Sequence, residues 1–230
     1  MPIYRRENGK LEAVAGNFAI LNGDALLPLK SQNPSVELYS NHLGVIDDFL
    51  ESSVVGNGAI SEIAATHRID LTTGEDINSY SILKTKSTWA ISSKKILLNY
   101  VVQNIVAGSD YVTTQIGLNG FNPAWGQWQP TNAIMFHHSL GAWGVHSSKA
   151  AIRKNIVISD VVAGDLLTIL ADEYEITFYV NGSLVGTINE SKYIPTIAMS
   201  FGAMVVRYFP TAPSTAEELS IDLIDGKIYR

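Results

Sequence analysis

The chain has 230 residues, a formal charge of −6 and only 17% charged residues. With no basic run anywhere, it lacks the phosphate-neutralising footprint of a nucleic-acid binder. It has no cysteine, so disulfides and thiolate metal sites are excluded, and a chain this long buries enough apolar surface to fold without staples.

From the N-terminus, Arg5 and Arg6 supply positive charge but no apolar stretch follows, so the start does not read as a secretory signal. Residues 1–30 carry turn signals at Gly16-Asn17 and Asn22-Gly23-Asp24, around apolar runs at 18–21 and 25–27. They read as a small hairpin or arm, joined by a polar linker broken at Pro34, so the arm and linker take residues 1–35. The main domain is expected to span 36–230. Within it, short β-branched or aromatic runs alternate with Gly, Asn, Asp or Pro, which argues a sandwich or barrel rather than alternating strands and helices. Strands are expected at 68–71, 80–84, 95–106, 111–118, 133–137, 143–146 and 152–158, then at 166–170, 176–180, 184–188 and 197–208. The best hairpin turns at Asn181-Gly182, a pair suited to the two positive-φ positions of a tight turn. Around it Ile176, Phe178 and Val180 alternate with Thr177 and Tyr179, marking one core face. Ser214 to Glu217 has the shape of a helix capping box after Pro210 and Pro213. Leu219, Ile221 and Leu223 alternate again before a turn signal at Asp225-Gly226. The longest apolar stretch, Ile197 to Val206, is too short for a bilayer, so no membrane insertion is expected.

The segment Gly164–Thr187 resembles concanavalin A-like and laminin-G-like domains, where a strand leads into a hairpin like Phe178-Tyr179-Val180-Asn181-Gly182-Ser183-Leu184-Val185-Gly186. Asp47-Asp48-Phe49 resembles the opening of that fold, and the similarity covers roughly Val45 to Tyr208. It implies an all-β, antiparallel two-sheet β-sandwich, a lectin-like jelly roll with a short N-terminal arm. Such modules occur in lectins, glycan hydrolases, adhesion proteins and virion fibres. The whole chain also resembles bacteriophage fibre and other virion structural proteins, in its small arm, its cysteine-free lectin-like domain and its many Asn, Ser, Thr and Gly residues.

Paired carboxylates are what glycan hydrolases need, and laminarinase-type enzymes carry them on one strand as Glu, a hydrophobic residue, Asp, one or two hydrophobic residues, then Glu. The nearest run here is Asp172-Glu173-Tyr174-Glu175, which reads as a solvated hairpin tip. No Gly-x-Ser-x-Gly elbow or phosphate-binding loop occurs, so no catalytic residues are assigned. Asp47, Asp48, Glu75 and Asp76 are too scattered to collect the ligands calcium needs, so no cofactor is assigned. Of the histidines, His42, His67, His137, His138 and His146, adjacent His137 and His138 point to opposite faces of a strand. His146 can lie across the turn at 139–142 from one of them. Two such imidazoles could hold zinc with a third ligand, which the local sequence does not name, and no metal ligand is assigned.

The stretch from Asn119 to Asn132 places Trp125 and Trp128 among Gly120, Pro123, Gly126 and Pro130, which forbid regular structure. Indoles stack on the flat faces of sugars while amides bond the hydroxyls, the apolar-plus-few-polar logic of a small-ligand site. Asn119, Asn122, Trp125, Gln127, Trp128 and Asn132 are therefore the candidate glycan contacts. The same loop could instead plug an open end of the sandwich or anchor a subunit contact; Trp89, Trp143 and Tyr111 read first as core.

The resemblance then implies a non-enzymatic virion or fibre component, made in the host cytoplasm without a signal and placed in the virion. Its expected partners are other virion proteins, a host-surface glycan and copies of itself, trimers favoured. The alternatives are a glycan-cleaving hydrolase on the same fold and a capsid-decorating scaffold with no ligand.

Overall fold

A computed structural model describes residues 3–7, 10–14, 18–21, 25–28, 36–41, 50–63, 68–74, 76, 78–92, 94–106, 112–120, 130–139, 141–207 and 218–229. Before Leu50, and at 104–106, 112 and 222–225, the description is of the backbone alone. All nineteen elements among these residues are β-strands.

The first four strands form two separate hairpin ladders. β1 (Ile3–Glu7) pairs with β2 (Lys10–Val14), and β3 (Phe18–Leu21) with β4 (Ala25–Pro28). The second ladder agrees with the small hairpin expected in residues 1–30; the first joins strands for which the sequence carries no strand expectation.

The rest is a two-sheet antiparallel sandwich. One sheet runs β17 (Ser183–Ile188), β16 (Ile176–Val180), β15 (Leu166–Ala171), β10 (Lys95–Val106), β19 (Glu218–Tyr229), β8 (Arg68–Thr72), β7 (Ala59–Ile63). β5 (Val36–Asn41) pairs with the C-terminal half of β19, while β8 pairs with its N-terminal half. The facing sheet runs β14 (Ile152–Val157), β13 (Ala142–Lys149), β12 (Ala133–Ser139), β11 (Val112–Asn119), β18 (Ser200–Arg207), β9 (Tyr80–Thr85), β6 (Leu50–Val55). Between them lies one core. Leu98, Tyr100, Leu167, Ile169, Phe178 and Ile221 meet Leu83, Ile116, Ile134, Phe136, Val145 and Phe201 there, with Phe136 edge-on to Phe178 at a centroid distance of 5.4 Å.

Asn181 and Gly182 take φ of 50° and 82°, as the tight hairpin between β16 and β17 requires. Two expectations differ from the structure. Asp225-Gly226 is not a turn: β19 passes straight through it, because Gly226 is paired with Leu98 on one side and Tyr39 on the other. A strand laddered on both sides overrides a local turn preference. The strand expected from Ile197 starts at Ser200; Ile197 is exposed, and Met199 forms an isolated bridge with Trp89. The edge strands β6 and β7 gave no alternation to read, since β6 is exposed along its whole length after Leu50. The capping-box segment 214–217 lies outside the described residues.

Candidate functional site

Strand alternation gives the seven-stranded sheet two faces. Ile116, Leu118, Ile134, Phe136, Val145, Phe201, Ala203 and Val205 belong to the core, so the residues between them face outward. The register aligns them in rows across the sheet. One row reads Glu51, Lys84, Gly202, Gly117, Met135, His146, Asn155. The next reads Ser53, Ile82, Met204, Gln115, His137, Gly144, Val157.

At its middle the face is narrow in side-chain volume and rich in amides and imidazoles. Gly117 and Gly202 pair directly, and each lies so close to neighbouring backbone that a Cβ would be 2.3 Å from the Ile134 carbonyl oxygen or 2.1 Å from that of Leu83. From beneath, the buried Tyr100 on β10 donates its hydroxyl to the Gly117 carbonyl at 3.3 Å, tying the two sheets together at this point. Burial raises the Tyr100 phenol far above its ordinary value, so it stays a donor. Asn119 donates its Nδ2 to Gln115 Oε1 at 2.6 Å, both side chains being buried. Toward β9 the face becomes apolar, with Ile82, Met204 and Val206 packed together against Tyr80.

The two imidazoles lie toward the β14 edge. His137 on β12 and His146 on β13 are diagonal neighbours, their rings edge-to-face at 5.9 Å between centroids. Adjacent His138 points the other way and packs against Trp143 at 5.4 Å, as the alternation argument expects. Burial, and then the neighbouring His146, push the His137 imidazole down to about 4. His146 is lowered mainly by burial, opposed by its ring nitrogen Nδ1 bonding Asn155 Oδ1. Both rings are therefore neutral at pH 7. Gln115 and Asn155 were not singled out in the sequence; only the sheet register brings them beside the histidines.

Of the six candidate glycan contacts, Asn119 and Asn132 are described, and both sit at the roots of the β11–β12 connection. Asn119 is buried against Gln115 and Met135. Asn132 accepts the Ala150 amide at 3.1 Å, and neighbouring Pro130 and Thr131 accept the Ser148 hydroxyl and the Ala151 amide. These bonds pin the end of the loop to the β13–β14 turn, at one end of the outward face. Asn122, Trp125, Gln127 and Trp128 lie outside the described residues, as do Tyr111, Asp47, Asp48, Glu75, His42 and His67. Trp143 is core, and Trp89 packs on Phe201 at 5.6 Å.

The acidic run Asp172 to Glu175 forms the turn between β15 and β16, where Asp172 Oδ1 accepts the amides of Tyr174 and Glu175 at 2.9 Å each. Glu173 and Glu175 are exposed there. On the outward face of the seven-stranded sheet the one carboxylate among the described residues is Glu51, paired with Lys84 at 3.0 Å. No cluster of three or more metal-ligating side chains of the His, Cys, Asp or Glu type occurs among the described residues. No helix there is long and apolar enough to cross a membrane.

No family model matches the chain, and no curated protein matches it by sequence. Solved structures do match in shape. A β-glucanase from Bacillus licheniformis superposes with a TM-score of 0.57 at 11% identity, over 82% of this chain and 96% of its own. An endo-1,3-β-glucanase from Streptomyces sioyaensis gives 0.58 at 11%, over 90% and 99%. The carbohydrate recognition domain of Emp46p gives 0.56 at 13%, over 86% and 98%. The fold is the jelly roll of lectins and glucanases. At such identities the likeness speaks for fold alone. It nevertheless corrects one expectation, that the chain is no enzyme. Glucanases build this same sandwich over almost their whole length, so the fold does not set hydrolysis aside. The exclusion rested on the acidic run at 172–175, but a folded sheet can gather carboxylates from strands distant in sequence, which a linear reading does not bring together. None of these three structures is a virion protein, and nothing in the comparisons links the fold to a fibre.

Proposed function

We propose that the chain is a carbohydrate-active protein whose glycan lies along the outward face of the seven-stranded sheet. The connection from Asn119 to Asn132 supplies its aromatic contacts. The observation that carries this reading is the match of both a carbohydrate recognition domain and glucanases to more than 80% of the chain. The site itself adds an amide-rich outward face whose end holds the roots of the tryptophan-bearing connection. Sugar rings need flat apolar surface together with a few fixed polar groups; the indoles of Trp125 and Trp128 would give the first and the amides of Asn122, Gln127 and Asn132 the second.

Cleavage of the bound glycan is the second reading, favoured by the glucanases among the structural neighbours. A hydrolase here would need a carboxylate besides Glu51 on this face, from outside the described residues. A virion setting, and assembly into trimers, draw no support from the structural neighbours.

The test is retention and turnover on a polysaccharide panel. Mixed-linkage and 1,3-β-glucans should retard the wild type in affinity electrophoresis. Trp125→Ala and Trp128→Ala should each lose that retardation with an unchanged melt. Release of reducing ends from the same glucans would establish cleavage. No retention by any glycan of a broad array, together with no release, would overturn the reading.

A further inference from the structure

The two outward imidazoles pose a problem that glycan binding does not solve. His137 Nε2 and His146 Nε2 are both buried, and neither has a hydrogen-bond partner among the described residues. A buried polar atom left unpaired costs roughly 1–3 kcal/mol, so two adjacent ones point to something that belongs between them. We propose that His137 and His146 form a binding site for a borderline transition-metal ion such as Zn²⁺ or Cu²⁺, each imidazole ligating through Nε2.

Three features of the pair fit that use. The first is spacing. A metal about 2.0–2.1 Å from each nitrogen places two imidazole centroids roughly 5–6 Å apart, and these rings stand at 5.9 Å. The second is tautomer. The Nδ1 of His146 is engaged with Asn155 Oδ1; a neutral ring that donates there carries its free lone pair on Nε2. An outer hydrogen bond of this kind orients most metal-bound histidines and fixes which nitrogen faces the ion. The third is room. His137 lies over Gly144, where a Cβ would sit 2.8 Å from its Nε2, so only glycine leaves the ring and its ligand unobstructed. Burial keeps both rings neutral, the form in which imidazole binds metals. Access runs from the edge strand β14, where Asn155 and Val157 are exposed. Two protein ligands leave the remaining positions of the ion to water or to an incoming oxygen donor. The site stands whether or not the face takes a glycan.

The experiment is calorimetric titration of the metal-free full chain with Zn²⁺, in the absence of any carbohydrate. The wild type should bind one equivalent, and His137→Asn and His146→Gln should each lose it while retaining the metal-free melt. Asn155→Leu, at an exposed position, should bind at least about tenfold more weakly, because the orienting bond is gone. Should the histidine variants fail to fold, Cu²⁺ bound to the wild type gives the answer by electron paramagnetic resonance, as coupling to two imidazole nitrogens. Absence of saturable binding would overturn the proposal and leave a buried water as the bridge. So would coupling to fewer than two imidazoles, or undiminished binding in the doubly substituted protein, which would move the ion to His42, His67 or His138. Glycan retention, measured separately, bears on neither result.

Discussion

Three glycines separate the two reasons a sheet keeps this residue. Gly164 has φ of +91° with nothing within 4 Å of an added Cβ, so Gly164→Ala tests backbone strain alone. Gly202 carries no such φ, but its Cβ would sit 2.1 Å from the Leu83 carbonyl oxygen and 2.7 Å from the Lys84 Cα, so Gly202→Ala tests steric conflict alone. Gly117 has both, with φ of +149° and a Cβ 2.3 Å from the Ile134 oxygen and 2.8 Å from the Met135 Cα. Strain at a position hostile to L-residues costs about 1–2 kcal/mol. Overpacking adds typically about 1–3 kcal/mol, toward the upper end when the obstacle is backbone that cannot rotate away. Gly117→Ala should therefore lose roughly 3–5 kcal/mol, Gly202→Ala roughly 2–3 and Gly164→Ala about 1–2. At about 2–4 °C per kcal/mol for a domain of this size, the Gly117 variant should melt roughly 10 °C below wild type, and the Gly164 variant only a few degrees below. Differential scanning calorimetry decides it. A Gly117→Ala protein melting within two or so degrees of wild type would refute the paired-glycine floor on which the outward face is built.

Other outcomes follow from the same geometry. Asn181→Ala should cost about 1–2 kcal/mol by denaturant titration, because the side chain accepts the Leu166 amide at 2.9 Å and donates to Asp165 Oδ1 at 2.5 Å while the backbone holds φ of 50°. Asn181→Gly, which relieves the backbone, should cost less. In the presence of a chelator, stability should fall as pH drops from 6.5 toward 4, since the unfolded chain takes up a proton at His137 that the folded one resists. The loss is up to about 3 kcal/mol at 1.36 kcal/mol per unit, and a stability profile flat over that window would contradict the burial of His137. Glu173→Gln with Glu175→Gln should leave any glycan retention or turnover unchanged, since both side chains project from an exposed turn; lost turnover with an intact fold would place chemistry in that turn.

How much was legible depended on pairing. Strands flanked on both sides were the easiest to delimit: the limits of β10 and β16 agree with the sequence reading, β10 through a long apolar run and β16 through its alternation of Ile176, Phe178 and Val180 with Thr177 and Tyr179. The Asn181-Gly182 turn was legible because two positive-φ residues in succession admit few alternatives. The edge strand β6 was not, because it has one buried residue in six and nothing to alternate with. The course of β19 was hidden for the opposite reason: partners on both sides hold Asp225 and Gly226 extended against their own preference. For the site, alternation alone separated His137 from His138. That His137 would meet His146, with Asn155 behind it, follows from the register of three strands, and no local pattern encodes that. The tryptophans of the 119–132 connection point to a sugar by their chemistry, and only the roots of that loop lie among the described residues.

The central claim, that this jelly roll handles carbohydrate, is tested most directly by incubating the wild-type chain with mixed-linkage and 1,3-β-glucans in one experiment that reads both affinity-gel retardation and reducing-end release. The account predicts retardation that disappears in Trp125→Ala and Trp128→Ala at unchanged melting temperature, with reducing ends appearing as well if the bound glucan is cleaved. Unretarded migration in every glucan, confirmed by an empty glycan array and no released reducing ends, would contradict it.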